Sequence, residues 1–155
     1  MGLKRAFQPD YERYEGVRPI IVLGMRLGYL LVFVIVGQIS WIRIITHRGS
    51  WDPIQAAALS MWAAHSLLSL IGIFQPLRML PLVLFEIVYK LLWLAAVALP
   101  LWSANQLAGS PAEGWTYAFL SVAIPIVVVP WPYVFRKYIW NPSAEPAVRS
   151  STAMK

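Results

Sequence analysis

Glu86 and Lys90 stand four residues apart inside an apolar run from about Met79 to about Trp102. On a helix that spacing puts the carboxylate and the ammonium on one face, with the acid N-terminal, the favourable order for an ion pair. Arg26 and His65 interrupt two other apolar runs. Such groups can pair, relay a proton or hold a polar ligand in greasy surroundings. Each charge at a bilayer centre costs about 3 kcal/mol on insertion scales, so these residues turn towards the protein interior or water and take partners.

Depth is the first test of pairing. Arg26 and Glu86 each lie about seven residues in from the inner end of their runs, roughly 10 Å deep at 1.5 Å per residue. Lys90 is one turn further, and His65 lies roughly 14 Å from the same end. All four therefore share a slab in the inner half of the membrane. Direction is the second test. His65 shares a helix face with Met61, Ser69 and Gly72; Arg26 shares one with Leu30, Phe33, Gly37 and Ser40; Trp93 continues the Glu86–Lys90 face. The sequence predicts a binding cluster of Arg26, His65, Glu86 and Lys90, with Glu86 taking Arg26 or Lys90 as partner. If Glu86 carries two cations, the surplus positive charge calls for a bound anionic group or a neutral lysine. The plainer alternative is an intrahelical Glu86–Lys90 pair, a snorkelling Arg26 and a His65 that hydrogen-bonds a neighbouring helix.

The elements that must position these residues are long apolar helices. The chain has 155 residues, 59% hydrophobic and 13% charged, and a mean hydropathy of +0.60. A soluble domain of that size would lack the polar surface to cover its core. The expected fold is an all-α membrane protein, a four-transmembrane-helix up-down bundle occupying 19–135. Its spans fall at about 19–42, 53–74, 79–102 and 114–134, between a cytoplasmic arm, 1–18, and a basic tail, 136–155. Pro19 and Pro53 suit first helical positions, and Asp52 suits the N-cap of the second span. The turn at Gln75-Pro76-Leu77-Arg78 makes the second and third spans antiparallel neighbours. Pro125 predicts a kink that frees the Ser121 carbonyl. Pro130 and Pro132 end the fourth span early or bend it into an interfacial segment through Tyr138.

Orientation follows from the basic residues. With the N-terminus inside, nine Lys and Arg lie on the inner side (Lys4, Arg5, Arg13, Arg18, Arg78, Arg136, Lys137, Arg149, Lys155), and the outer side holds Arg43 and Arg48. This positive-inside bias puts both termini in the cytoplasm, with a bacterial inner membrane as the location. The net charge of +6 is read as topology signal and contact with anionic lipids at the inner face, not as nucleic-acid binding.

Other signals exclude more than they assign. With no cysteine, disulfides, thiolate metal sites and dithiol redox chemistry are absent. One histidine on the spans argues against a bis-histidine haem, and one histidine with one carboxylate makes an incomplete zinc site. No nucleophile elbow, phosphate loop or zinc-protease helix occurs, which leans away from an enzyme. Gly24 and Gly28 have the G-x-x-x-G spacing that allows close helix approach. His47, in the outer loop, reads as solvated.

The run Arg26-Leu27-Gly28-Tyr29-Leu30-Leu31-Val32-Phe33, with Gly37 following, resembles the opening helix of the DoxX-like family. Leu70-Ile71-Gly72-Ile73-Phe74, a short turn and Arg78 resemble that family's second-to-third helix junction. The resemblance implies a small bacterial four-helix membrane protein associated with redox or quinone-linked complexes. Where the family often carries a glutamate in the second helix, this chain has His65 at the nearest position. Three readings follow. The first is a non-catalytic accessory or scaffold subunit that binds partner membrane subunits or copies of itself. The second is a redox-associated protein with a quinone headgroup among Arg26, His65, Glu86 and Lys90. The third is a proton-coupled carrier acting as an oligomer, with Glu86 and His65 as relay groups.

Overall fold

The computed structural model describes residues 6–140. Its regular elements are all helices, joined by short turns and loops, and among the described residues the β pairing is confined to an isolated bridge between Asp10 and Val17. Three helices are long and apolar enough to cross a membrane: α1 (Pro19–Thr46), α2 (Pro53–Phe74) and α3 (Leu80–Ser103). A bent pair, α4 (Glu113–Val128) and α5 (Trp131–Trp140), makes a fourth span if taken together.

Local chemistry explains the ends and breaks. Asp52 accepts a hydrogen bond from the Gln55 amide at 2.7 Å, and Pro53 occupies the first position of α2. Such a cap satisfies a donor that the helix itself leaves orphaned. α1 runs four residues past the expected Ile42, to Thr46. In α3, a wide π-turn at Leu94–Ala98 precedes Pro100, which has no N–H to continue the ordinary ladder. A second π-turn, Val32–Val36, lies in α1. In α4 the Pro125 effect shows as a break at residues 121–122. The Ser121 carbonyl is not left free, because it accepts from the Ile124 amide at 3.0 Å. Of the two outcomes expected at Pro130 and Pro132, an early end or a bend, the chain shows the bend: it turns by 74° after Val128, across Val129-Pro130.

α1 and α2 close on a seam of small residues. Ser40, Ser66 and Ser69 are fully buried, and Ala63 and Gly72 lie on the same seam. A Cβ on Gly37 would come within 3.3 Å of Ser66. The serine hydroxyls satisfy themselves on helix carbonyls, Ser66 on Ala63 and Ser69 on His65. Close backbone approach of this kind drives helix association where lipid removes the hydrophobic term. Tyr29 locks the end of this seam nearest the α2–α3 turn, its hydroxyl donating to the Pro76 carbonyl at 3.1 Å.

The arm before α1 is folded, not merely polar. Asp10 and Val17 close a turn through Glu15 and Gly16, both at positive φ, and Val17 is buried. Glu15 then fastens the turn to α5. Its carboxylate accepts from the Tyr133 hydroxyl at 3.0 Å and from Lys137 at 3.1 Å, and its carbonyl accepts from Arg136 at 2.8 Å. The expected tail from residue 136 is thus helical through Trp140; the remainder, 141–155, lies outside the described residues, as do Lys4 and Arg5.

Burial pushes the Glu15 carboxyl up, but hydrogen bonds from Lys137 and Tyr133 and the charges of Lys137 and Arg136 outweigh it. Its pKa therefore lies below the ordinary 4.5. A carboxylate with a depressed folded pKa stabilises above its unfolded value and loses that contribution as pH falls through the folded one. The clamp is therefore expected to hold at neutral pH and to release in acid, below the usual glutamate range. Hydrogen exchange at the Gly16 and Val17 amides, corrected for intrinsic rate, reads this directly. Acid should raise it in the wild type, and Glu15→Gln should raise it already at pH 7. Equal protection in both proteins at both pH values would show that the clamp does not hold the arm.

Candidate functional site

α3 carries Glu86 and Lys90 one above the other, and both are buried. The Lys90 ammonium donates to Glu86 Oε1 at 2.6 Å and to the Ser121 hydroxyl of α4 at 3.1 Å. On the other carboxylate oxygen, His65 Nε2 of α2 lies at 3.8 Å, longer than a hydrogen bond. His65 is itself buried and packs near the rings of Phe85 and Tyr89. Three helices thus meet at one carboxylate and its ammonium.

Arg26 is not part of this group. Of the two partners expected for Glu86, Arg26 or Lys90, it is Lys90 that takes it; among the described residues no ion pair joins Arg26 to Glu86, and His65 approaches its other oxygen. Depth placed Arg26 level with Glu86, but depth fixes one coordinate. Successive helix residues point about 100° apart. Met25, Gly28 and Tyr29 line the space beside Glu86, and Arg26 does not. Its Nε is buried without a hydrogen-bond partner among the described residues.

Glu86 and Lys90 form part of the wall of a cavity of about 390 Å³, within the range of small-molecule sites. The cavity is a crevice between α1 and α4, backed by α2 and α3. Its lining on α1 runs from Gly24 to Ile39, roughly 22 Å along the helix axis. The two walls meet at the Gly24 end, where a Cβ on Gly24 would come within 3.1 Å of Val128. Gly28 faces open space. Of the two glycines, Gly24 marks a close helix approach and Gly28 leaves room. Aromatic rings brace the other half: Trp62 meets Trp115 at 5.1 Å, and Trp93 meets Phe119 at 4.9 Å between ring centres.

Ser121 is the member that sequence reasoning missed. Its one signal was the position four residues before Pro125, where the helix breaks and a hydroxyl can leave the helix surface. The chemistry of the site follows from donor counting. An ammonium has three N–H donors. Glu86 and Ser121 take two, which leaves one without a partner among the described residues. Glu86 balances the charge of Lys90, so the pair presents a hydrogen-bond donor and no net charge. Among the described residues no group of three or more His, Asp or Glu is gathered to hold a metal ion.

No protein-family model matches the chain, and neither the curated proteins nor the solved structures compared with it give a match.

Proposed function

We propose that the protein is a membrane-embedded binding protein for a neutral, lipophilic molecule carrying a carbonyl or hydroxyl oxygen. A quinone is the ligand of that description which the DoxX-like resemblance implies. The carrying observation is the remaining donor of Lys90 on the wall of an otherwise apolar crevice. A polar group deep in an apolar pocket fixes orientation, while the apolar walls supply affinity. The ligand's oxygen accepts a hydrogen bond from Lys90, its apolar body lies along Gly28 and Val32, and access is lateral, between α1 and α4. The accessory reading fits inside this one, since a subunit that holds a lipophile for a larger complex needs no chemistry of its own.

In the same reading the chain crosses the membrane four times as an up-down bundle, with the bent pair of α4 and α5 making the fourth pass. The Glu15 clamp supports this topology, because it brings residues 15 and 133–137 to one end of the molecule. The lysine and arginine counts put that end in the cytoplasm of a bacterial inner membrane.

Trp62 and Trp115 line the crevice, so a short-chain quinone bound there should quench their fluorescence. Quenching is expected to saturate in the wild type. It should weaken by at least tenfold in Gly28→Phe, which fills the space that is open at that Cβ. Unchanged, non-saturating quenching in both proteins would mean that the quinone partitions into detergent and not into the crevice.

A further inference from the structure

A second cavity, of about 500 Å³, lies at the opposite end of the molecule from Glu15. It is lined by the last turn of α1 (Arg43, Thr46), the loop (His47, Arg48, Trp51) and the first turns of α2 (Gln55, Leu59). The His47 ring stacks on Trp51 with centres 3.5 Å apart. His47 Nε2 is buried and has no hydrogen-bond partner among the described residues. Asp52, next in the chain to Trp51, accepts from the Gln55 amide at the start of α2. Two guanidiniums, an imidazole and a side-chain amide share the pocket, while the Thr46 hydroxyl on its wall donates to the Ile42 carbonyl at 2.7 Å. Guanidinium forks match phosphate oxygens in geometry as well as charge.

This pocket lies in line with the crevice. On α1, Ile35 and Ile39 line the crevice and Arg43, one turn beyond Ile39, lines the pocket, so successive turns of the helix carry the apolar wall and then the basic pocket. On α2, Trp62 lines the crevice, and Leu59 and Gln55, on the same face, line the pocket. We propose that the pocket holds the phosphate of an anionic membrane lipid headgroup, whose acyl chain descends along Ile39 and Ile35. The in-line apolar wall is what favours a lipid over free phosphate. Arg43 in the last turn of α1 also complements the helix dipole, but that role does not account for Arg48 or for the buried imidazole nitrogen.

The test is native mass spectrometry of the full chain with defined lipids. Phosphatidylglycerol should be retained in preference to phosphatidylcholine. Arg43→Gln/Arg48→Gln should reduce that preference about thirtyfold, at roughly one basic contact each. His47→Phe keeps the stacked ring and removes the nitrogen, so it should weaken retention with no change in melting temperature. Arg136→Gln/Lys137→Gln, at the opposite end, should leave this site unaffected. Equal retention of the two lipids, or a preference that survives the double arginine change, overturns the proposal. Full displacement by millimolar inorganic phosphate overturns the lipid and identifies a free-phosphate site. Gly28→Phe separates this inference from the crevice reading. It blocks the space beside Lys90, about 10 Å below Ile35 along the helix, and should leave headgroup retention intact.

Discussion

Replacing Glu86 with leucine while Lys90 remains should destabilise the protein by about 3–5 kcal/mol, because it strands a buried ammonium without its counter-ion. The double change Glu86→Leu/Lys90→Met removes both charges and their desolvation cost. It should recover most of that loss, and could match the wild type, since buried pairs are often no more stabilising than well-packed apolar residues. Unfolding in mixed micelles by SDS measures all three proteins. The pattern separates structure from function. If the pair exists only for stability, the double variant should be stable and otherwise unaltered. In the present account it is stable and has lost ligand binding, because the remaining Lys90 donor has gone with the lysine. A double variant as unstable as the single one would show that the packing around His65 and Ser121 requires the charges themselves.

The second large effect is expected at Gly72. A Cβ there would stand 2.5 Å from the Tyr29 ring. That ring cannot swing aside: it is buried, tied to α1 at one end and to the Pro76 carbonyl at the other. Gly72→Ala should therefore push α1 from α2 and cost about 1–3 kcal/mol, the usual range for overpacking. Tyr29→Ala in the same background should relieve the clash and so cost less there than it does alone. Additive losses in that double-mutant cycle would mean that the two residues do not press on each other.

What the sequence made legible was mostly local. The Glu86–Lys90 contact follows from a four-residue spacing on one helix, and the start of α2 from Asp52-Pro53. Pro130 and Pro132 marked the bend, since proline disrupts the backbone ladder wherever the chain cannot reroute it. What stayed hidden depends on packing between distant segments. Ser121 meets Lys90 across 31 residues and Glu15 meets Tyr133 across 118; no periodicity within either segment encodes such a meeting. Arg26 shows the converse. Its place along α1 was readable, but the neighbours it meets were not, because Arg26 and Met25 differ by one residue and Met25 lines the crevice where Arg26 does not. His47 read as solvated because a loop histidine gives no hint of a tryptophan stacking four residues on.

The central claim is that the crevice beside Lys90 is occupied in the membrane by an apolar molecule. The most direct measurement is the mass of the intact protein released gently from its host membrane, wild type beside Gly28→Phe. The account predicts a neutral, solvent-extractable adduct on the wild type that is missing from Gly28→Phe, with both proteins folded to the same melting temperature. The same adduct on both, or a bare wild-type chain, would contradict it.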